Sequence, residues 1–289
     1  MPTVNDDYPI KNTDMSDEQL KAMATAQHSQ RASETQKFPT EIIELPSKGL
    51  LYPDGHPLRS GKIEMKYMTA REEDILTTQS YIKQGVVLDK LFRALIVGNG
   101  EGVQINYGDL LTGDKNAVMI AARVLGYGKD YTIKVQNPSG TEQEEKIDLT
   151  KFEHKELRED LITPGTNEFE FELPASKRTV TFKILNHRDS LEIDKEIKSL
   201  QKIKDQYGSK QLTTRLFHTI TSVDGDESKS AIRNFVKNEL LAIDSRALRD
   251  FIAEISPDVD LKIDLFDAEN GEPFSVNMPI GVDFFWPSV

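Results

Sequence analysis

The amino-acid sequence predicts an α+β protein: N-terminal strands with a helical cluster, then β-hairpins, then a second α+β half ending in antiparallel strands. Three observations predict it. Apolar residues recur at helical spacing between Thr69 and Leu125, and the period drops to two from Lys129 onward. Helices and strands also arrive in runs, where a doubly wound parallel sheet would need strict alternation.

Residues 1–37 are rich in Asp, Ser, Thr, Gln, Lys and Ala, with few large apolar side chains beyond Val4, Tyr8, Ile10, Leu20 and Met23. Such a segment buries too little surface to offset chain ordering, which predicts a disordered arm with a nascent helix from Ser16. It is read as a passive tail or as a docking arm that folds on a partner. Order is expected near Phe38, with Thr40 to Leu45 extended and a Pro/Gly loop from Pro46 to Pro57. Ile63, Met65 and Tyr67 alternate with Glu64 and Lys66 as a half-buried strand. Thr69-x-x-Glu72 is a capping box opening a helix that Gly85 ends. A second helix carries Val87, Leu88, Leu91, Leu95 and Ile96; a third, capped by Asp114, runs to Gly126-Tyr127-Gly128.

Tyr131, Ile133 and Val135 then form a strand, Asn137-Pro138-Ser139-Gly140 a tight turn, and Lys146 to Leu149 the return. Phe169–Leu173 and Val180–Ile184 pair as a hairpin through Pro174 to Lys177. A charged amphipathic helix is expected over 189–207, and a strand over Leu212–Val223 from its Thr and Ile content. Helices follow at 229–240, capped by Ser228, and at 245–255, capped by Asp244. Val259 to Leu265 and Phe274 to Met278 close the chain as strands around a turn at Asp267 to Gly271 that includes Asn270. The last aromatics are Phe284, Phe285 and Trp286, before Pro287. The expected organisation is an arm over 1–37, an α+β domain over 38–160 with its hairpin at 131–149, and a second over 161–289.

The 289 residues suffice for a core without disulfide or metal support. Cysteine is absent, which removes thiolate nucleophiles, disulfides and Cys-type zinc sites. The net charge of −12 argues against sequence-independent nucleic-acid binding, which needs a basic face. No apolar run approaches the ~18 residues of a membrane helix, so no membrane insertion is expected. The N-terminus lacks the basic and apolar regions of a signal peptide, so the chain is expected to stay where it is made.

Catalytic patterns are sparse. His28, His56, His154, His187 and His218 have no HxxxH or HExxH spacing, and there is no GxSxG, Walker loop or strand-following GxGxxG. Gly98 to Gly102 follows a helix, the wrong context for a phosphate cradle. Asp258, Asp260, Asp264 and Asp267 lack EF-hand order, and a solvated strand face explains them. Glu72, Glu73 and Asp74 are ordinary helix-start charge. The expectation is a protein that binds proteins, with no catalytic residue, cofactor or metal. The contrary reading, a hydrolase using dispersed carboxylates, needs a pocket where acids with perturbed pKa converge.

Several segments resemble the baseplate hub and hub-assembly proteins of T4-like tailed phages: Leu45 to Pro53, Gly61 to Leu76, Asp109 to Ala117 running into Ala121 to Gly128, Ala242 to Arg249, and Phe284 to Pro287. The resemblance covers roughly residues 38 to 289. It implies a part in building the central tail baseplate, as a hub component or as a transient assembly chaperone. The implied partners are other tail and baseplate hub proteins; the implied locations are the host cytoplasm during assembly and, for a retained component, the virion. Members of that family look as though they carry CPxCG-like knuckles at the hairpins matching Asn137 to Gly140 and Asp267 to Gly271. Here the cysteines are missing while the turn-forming Pro, Asn and Gly remain, so metal-free knuckles are expected. Phe284, Phe285 and Trp286 are expected either to lock the last segment onto the core or to anchor a partner.

Overall fold

The computed structural model describes residues 39–202 and 210–285. The arm over 1–37, its helix from Ser16, the end of the helix expected to reach 207, and Trp286 lie outside them.

The α+β class holds: among the described residues, helices pack with four small antiparallel sheets. Strand β1 (Thr40–Glu44) pairs with β2 (Lys62–Lys66), and β2 with β3 (Ile96–Gly98). Between β2 and β3 lie α1 (Ala70–Thr77), α2 (Gln79–Gln84) and α3 (Val87–Leu95). Helix α4 (Thr112–Tyr127) then leads into the hairpin of β4 (Asp130–Gln136) and β5 (Glu142–Asp148). After a connecting segment come β6 (Phe169–Glu172), β7 (Thr179–Phe182), α5 (His187–Lys202), α6 (Gln211–Thr219), β8 (Ile220–Val223), α7 (Lys229–Asn234) with a π turn over Phe235–Glu239, and α8 (Ala242–Ile255). The hairpin of β9 (Lys262–Phe266) and β10 (Pro273–Asn277) follows.

Three expectations are corrected. The helix expected from Thr69 to Gly85 is two helices, because Thr78 adopts an extended backbone (φ −70°, ψ 104°). Its hydroxyl and that of Thr77 donate back to the Asp74 carbonyl, the local competition that weakens helices at β-branched hydroxyl residues. Most of Leu212–Val223 is helix α6, and only Ile220–Val223 is strand. Leu216 and Thr219, three residues apart, are buried on one helical face, and that burial overrides the strand preference of Thr and Ile. Asp114 and Asp244 are not N-caps; they are the third residues of α4 and α8, with Leu111 and Leu241 at the caps. Ser228 does cap α7, accepting from the Ala231 amide at 3.3 Å.

The two halves are copies of one unit. Both run strand, strand, helix, helix, strand, helix, hairpin, apart from the extra short helices α2 and α7. Strand registers match: Ile43 pairs with Ile63 as Phe171 does with Val180, and Glu41 with Met65 as Phe169 does with Phe182. Both central strands carry an irregularity at the same step, Glu64/Met65 and Thr181/Phe182. The helix after each central strand is tied to it alike: Lys66 Nζ lies 2.8 Å from Glu72, and Lys183 Nζ 2.7 Å from Asp189. Each carboxylate also accepts the amide three residues before it, Thr69 or Asn186. A Leu-Leu-x-x-Asp-x-x-Ala string stands at Leu110–Ala117 and again at Leu240–Ala247. From there Asp130 matches Asp260, Ile133 matches Ile263 and Asn137 matches Asp267 without a gap.

The boundary expected near 160 is not a break in packing. Residues Thr40–Val289 group as one unit, and one core runs from Leu45 through Leu111 and Phe182 to Phe285. The connecting segment is stitched to both repeats: Gly165 N–H donates to Leu50 O at 2.7 Å, and Lys155 N–H to Asp258 O at 2.8 Å. The repeats also meet directly. Thr112 N–H donates to Leu185 O, and His187 N–H to Leu110 O. Gly113 packs so closely that a Cβ there would lie 1.7 Å from Pro257 O.

Candidate functional site

The two hairpin turns singled out in the sequence meet face to face. In each, a glycine with positive φ (Gly140, +88°; Gly271, +75°) closes the turn by donating to the carbonyl of Asn137 or Asp267. Across the contact, Asn137 Nδ2 donates to Asp267 Oδ1 at 2.9 Å, and Ser139 Oγ to Asp267 Oδ2 at 2.7 Å. Gln143 Nε2 reaches Phe266 O at 3.0 Å, and its Oε1 accepts from Ala268 N–H at 3.2 Å. Thr141 also donates to Glu269. Asn137, Gln143 and Asp267 are buried, while Pro138, Gly140, Asn270 and Gly271 lie exposed on the outer rims. The Ser139 hydroxyl, ahead of the opposing burial, holds the Asp267 carboxyl below the usual carboxylate range. The arrangement is a polar clasp whose groups satisfy one another. Among the described residues no three His, Cys, Asp or Glu side chains are grouped to hold a metal ion.

The terminal aromatics divide. Phe284 and Phe285 are buried, and Trp286 lies outside the described residues. Phe284 stands edge-on to Tyr131 at 5.0 Å, and Phe285 edge-on to Phe92 at 5.8 Å. Arg123 Nε donates to Phe284 O at 3.2 Å, and its guanidinium lies over the Tyr127 ring at 4.7 Å. The two phenylalanines therefore lock the last segment onto the core, out of a partner's reach in this arrangement.

The most perturbed acid in the interior is Asp114. Burial, the largest cause, pushes its carboxyl up to about 6 against the pull of its donors. Those donors are Tyr52 OH at 2.7 Å, Ser47 Oγ at 2.8 Å and Ser47 N–H at 2.9 Å, all from the Pro/Gly loop. Asp244 accepts instead from the amides of Ala175 and Ser176 at 2.7 and 3.0 Å. Each aspartate fastens the loop that follows the first strand of its own repeat. At the seam between repeats, buried His187 brings Nε2 to 2.9 Å from Asp89, with Lys115 Nζ 3.3 Å from Nδ1. His218 pairs with Glu196 at 2.9 Å from helix α6. These groups tie elements together.

An open groove of about 460 Å³ crosses the first repeat. Ala117, Ile120, Ala121 and Val124 of α4 form its floor, β1 one wall, and the connecting segment at Leu149 to His154 the other. Sequence reasoning brought neither the clasp nor the groove into view, and it read the two anchoring aspartates as helix caps. The signal was present for the aspartates: the Leu-Leu-x-x-Asp-x-x-Ala string occurs once in each half.

No family model, no curated protein and no solved structure matches the chain.

Proposed function

We propose that this protein is a component or assembly factor of the central baseplate hub of a T4-like tailed phage, acting through contacts with other hub proteins. The observation that carries the reading is the set of sequence segments resembling that family, read together with where those segments lie in the fold. Leu45 to Pro53 is the loop fastened by Asp114, Gly61 to Leu76 holds the Lys66–Glu72 tie, and Ala242 to Arg249 holds Asp244. Resemblance concentrated at such fold-determining positions is the pattern expected of shared architecture. The clasp supports the reading too, because it gives the cysteine-free turns a metal-independent means of closure. No described helix is long and apolar enough to cross a membrane.

Mass spectrometry of purified particles and of infected lysate tests the proposal. Presence at a few copies per particle identifies a component; presence in lysate alone identifies a transient chaperone. Normal baseplates after deletion of the coding sequence would remove the reading.

A further inference from the structure

Because the order of elements and the strand registers correspond between the repeats, each offers a comparison for the other on the inner face of its sheet. In the second repeat that face is aromatic. Phe169 stacks on Phe182 at 5.5 Å, Phe171 stacks on Phe251 of α8 at 4.8 Å, and Phe251 stands edge-on to Phe182 at 6.0 Å. The matching positions in the first repeat are Glu41, Met65, Ile43 and Ala121. Every one of these replacements removes a ring. Where the second repeat is filled, the first has the groove.

Two further observations bear on what would fill it. Strand β1 is the edge of its sheet, pairing only with β2 among the described strands, and its Ile42 is 48% exposed. An exposed edge with an apolar residue is a template for another extended chain, whose alternate side chains would face the sheet's inner side. The rim is acidic: Glu41 and Glu44 line the groove, and both are exposed.

We infer that the groove receives an extended segment of a partner protein. It lies along β1 as an added strand, sinks aromatic side chains at alternate positions toward α4, and sets Lys or Arg beside Glu41 and Glu44. The aromatic side chains take the space that Phe171 and Phe251 occupy in the second repeat. The inference rests on the groove, the β1 edge and the acidic rim, and is independent of the baseplate reading.

The test uses the full chain and a fluorescein-labelled Lys-Phe-Thr-Phe-Thr-Lys amide, followed by fluorescence anisotropy. Saturable binding is expected, and a peptide with Ala in place of Phe should not bind. Ala121→Phe builds the second repeat's ring into the groove. It should leave the circular dichroism spectrum unchanged and weaken binding by about tenfold or more, the equivalent of roughly 1.4 kcal/mol. Glu41→Lys combined with Glu44→Lys should weaken it similarly; both side chains are exposed, so this variant decides the matter if Ala121→Phe fails to fold. Failure of the wild-type chain to bind would overturn the inference, as would undiminished binding by the folded variants. Self-association of the wild type that Ala121→Phe abolishes would also overturn it, since a second molecule would then be the occupant.

Discussion

Asp114 and Asp244 occupy the same place in their repeats yet are pushed in opposite directions. At Asp114 burial wins and the carboxyl titrates near 6. At Asp244 burial also acts upward, but the amides of Ala175 and Ser176 outweigh it and hold the carboxyl low. A folded value above the unfolded one, near 4, means that Asp114 favours the fold fully below about pH 4 and loses that contribution as pH rises through about 6. Urea midpoints measured from pH 4 to 7 should therefore shift in favour of Asp114→Asn, relative to wild type, as pH increases. Asp114→Ala should cost about 3 kcal/mol in urea unfolding at pH 7, because Ser47 N–H and Tyr52 OH are left buried without an acceptor. Sequence placed both aspartates at helix starts, as caps, where they lie three positions past the cap. It could not show that Asp114 reaches a loop 67 positions away, because local patterns carry no such information.

At the scale of elements, the strands, hairpins and most helices were legible from periodicity and turn chemistry. The failures came where tertiary packing or hydroxyl competition decided the outcome, at α6 and at Thr78. The clasp between hairpins belongs to the same class: each turn was visible alone, and their meeting was not. Asp267→Ala should destabilise the protein by about 2 kcal/mol and speed amide exchange in both turns, although only one is altered. A double-mutant cycle between Asn137 and Asp267 should return a coupling of about 1 kcal/mol. Additive effects would mean that the hairpins close independently.

For the whole molecule, the fold class was legible and the tandem organisation was not. Identities between the repeats are few and scattered, and what persists is register, an ion pair and one buried aspartate. A shared core and a stitched connecting segment imply cooperative unfolding. Calorimetry should show one transition with equal calorimetric and van't Hoff enthalpies, and a fragment ending at 160 should not fold alone. Two resolved transitions would contradict this.

Gly113 has one more consequence. The first repeat accepts the second only because no side chain stands between Gly113 and the Pro257 carbonyl. The matching residue of the second repeat is Ile243, 63% exposed. A side chain of that kind at position 113 would collide with the Pro257 carbonyl and force the repeats apart at this joint.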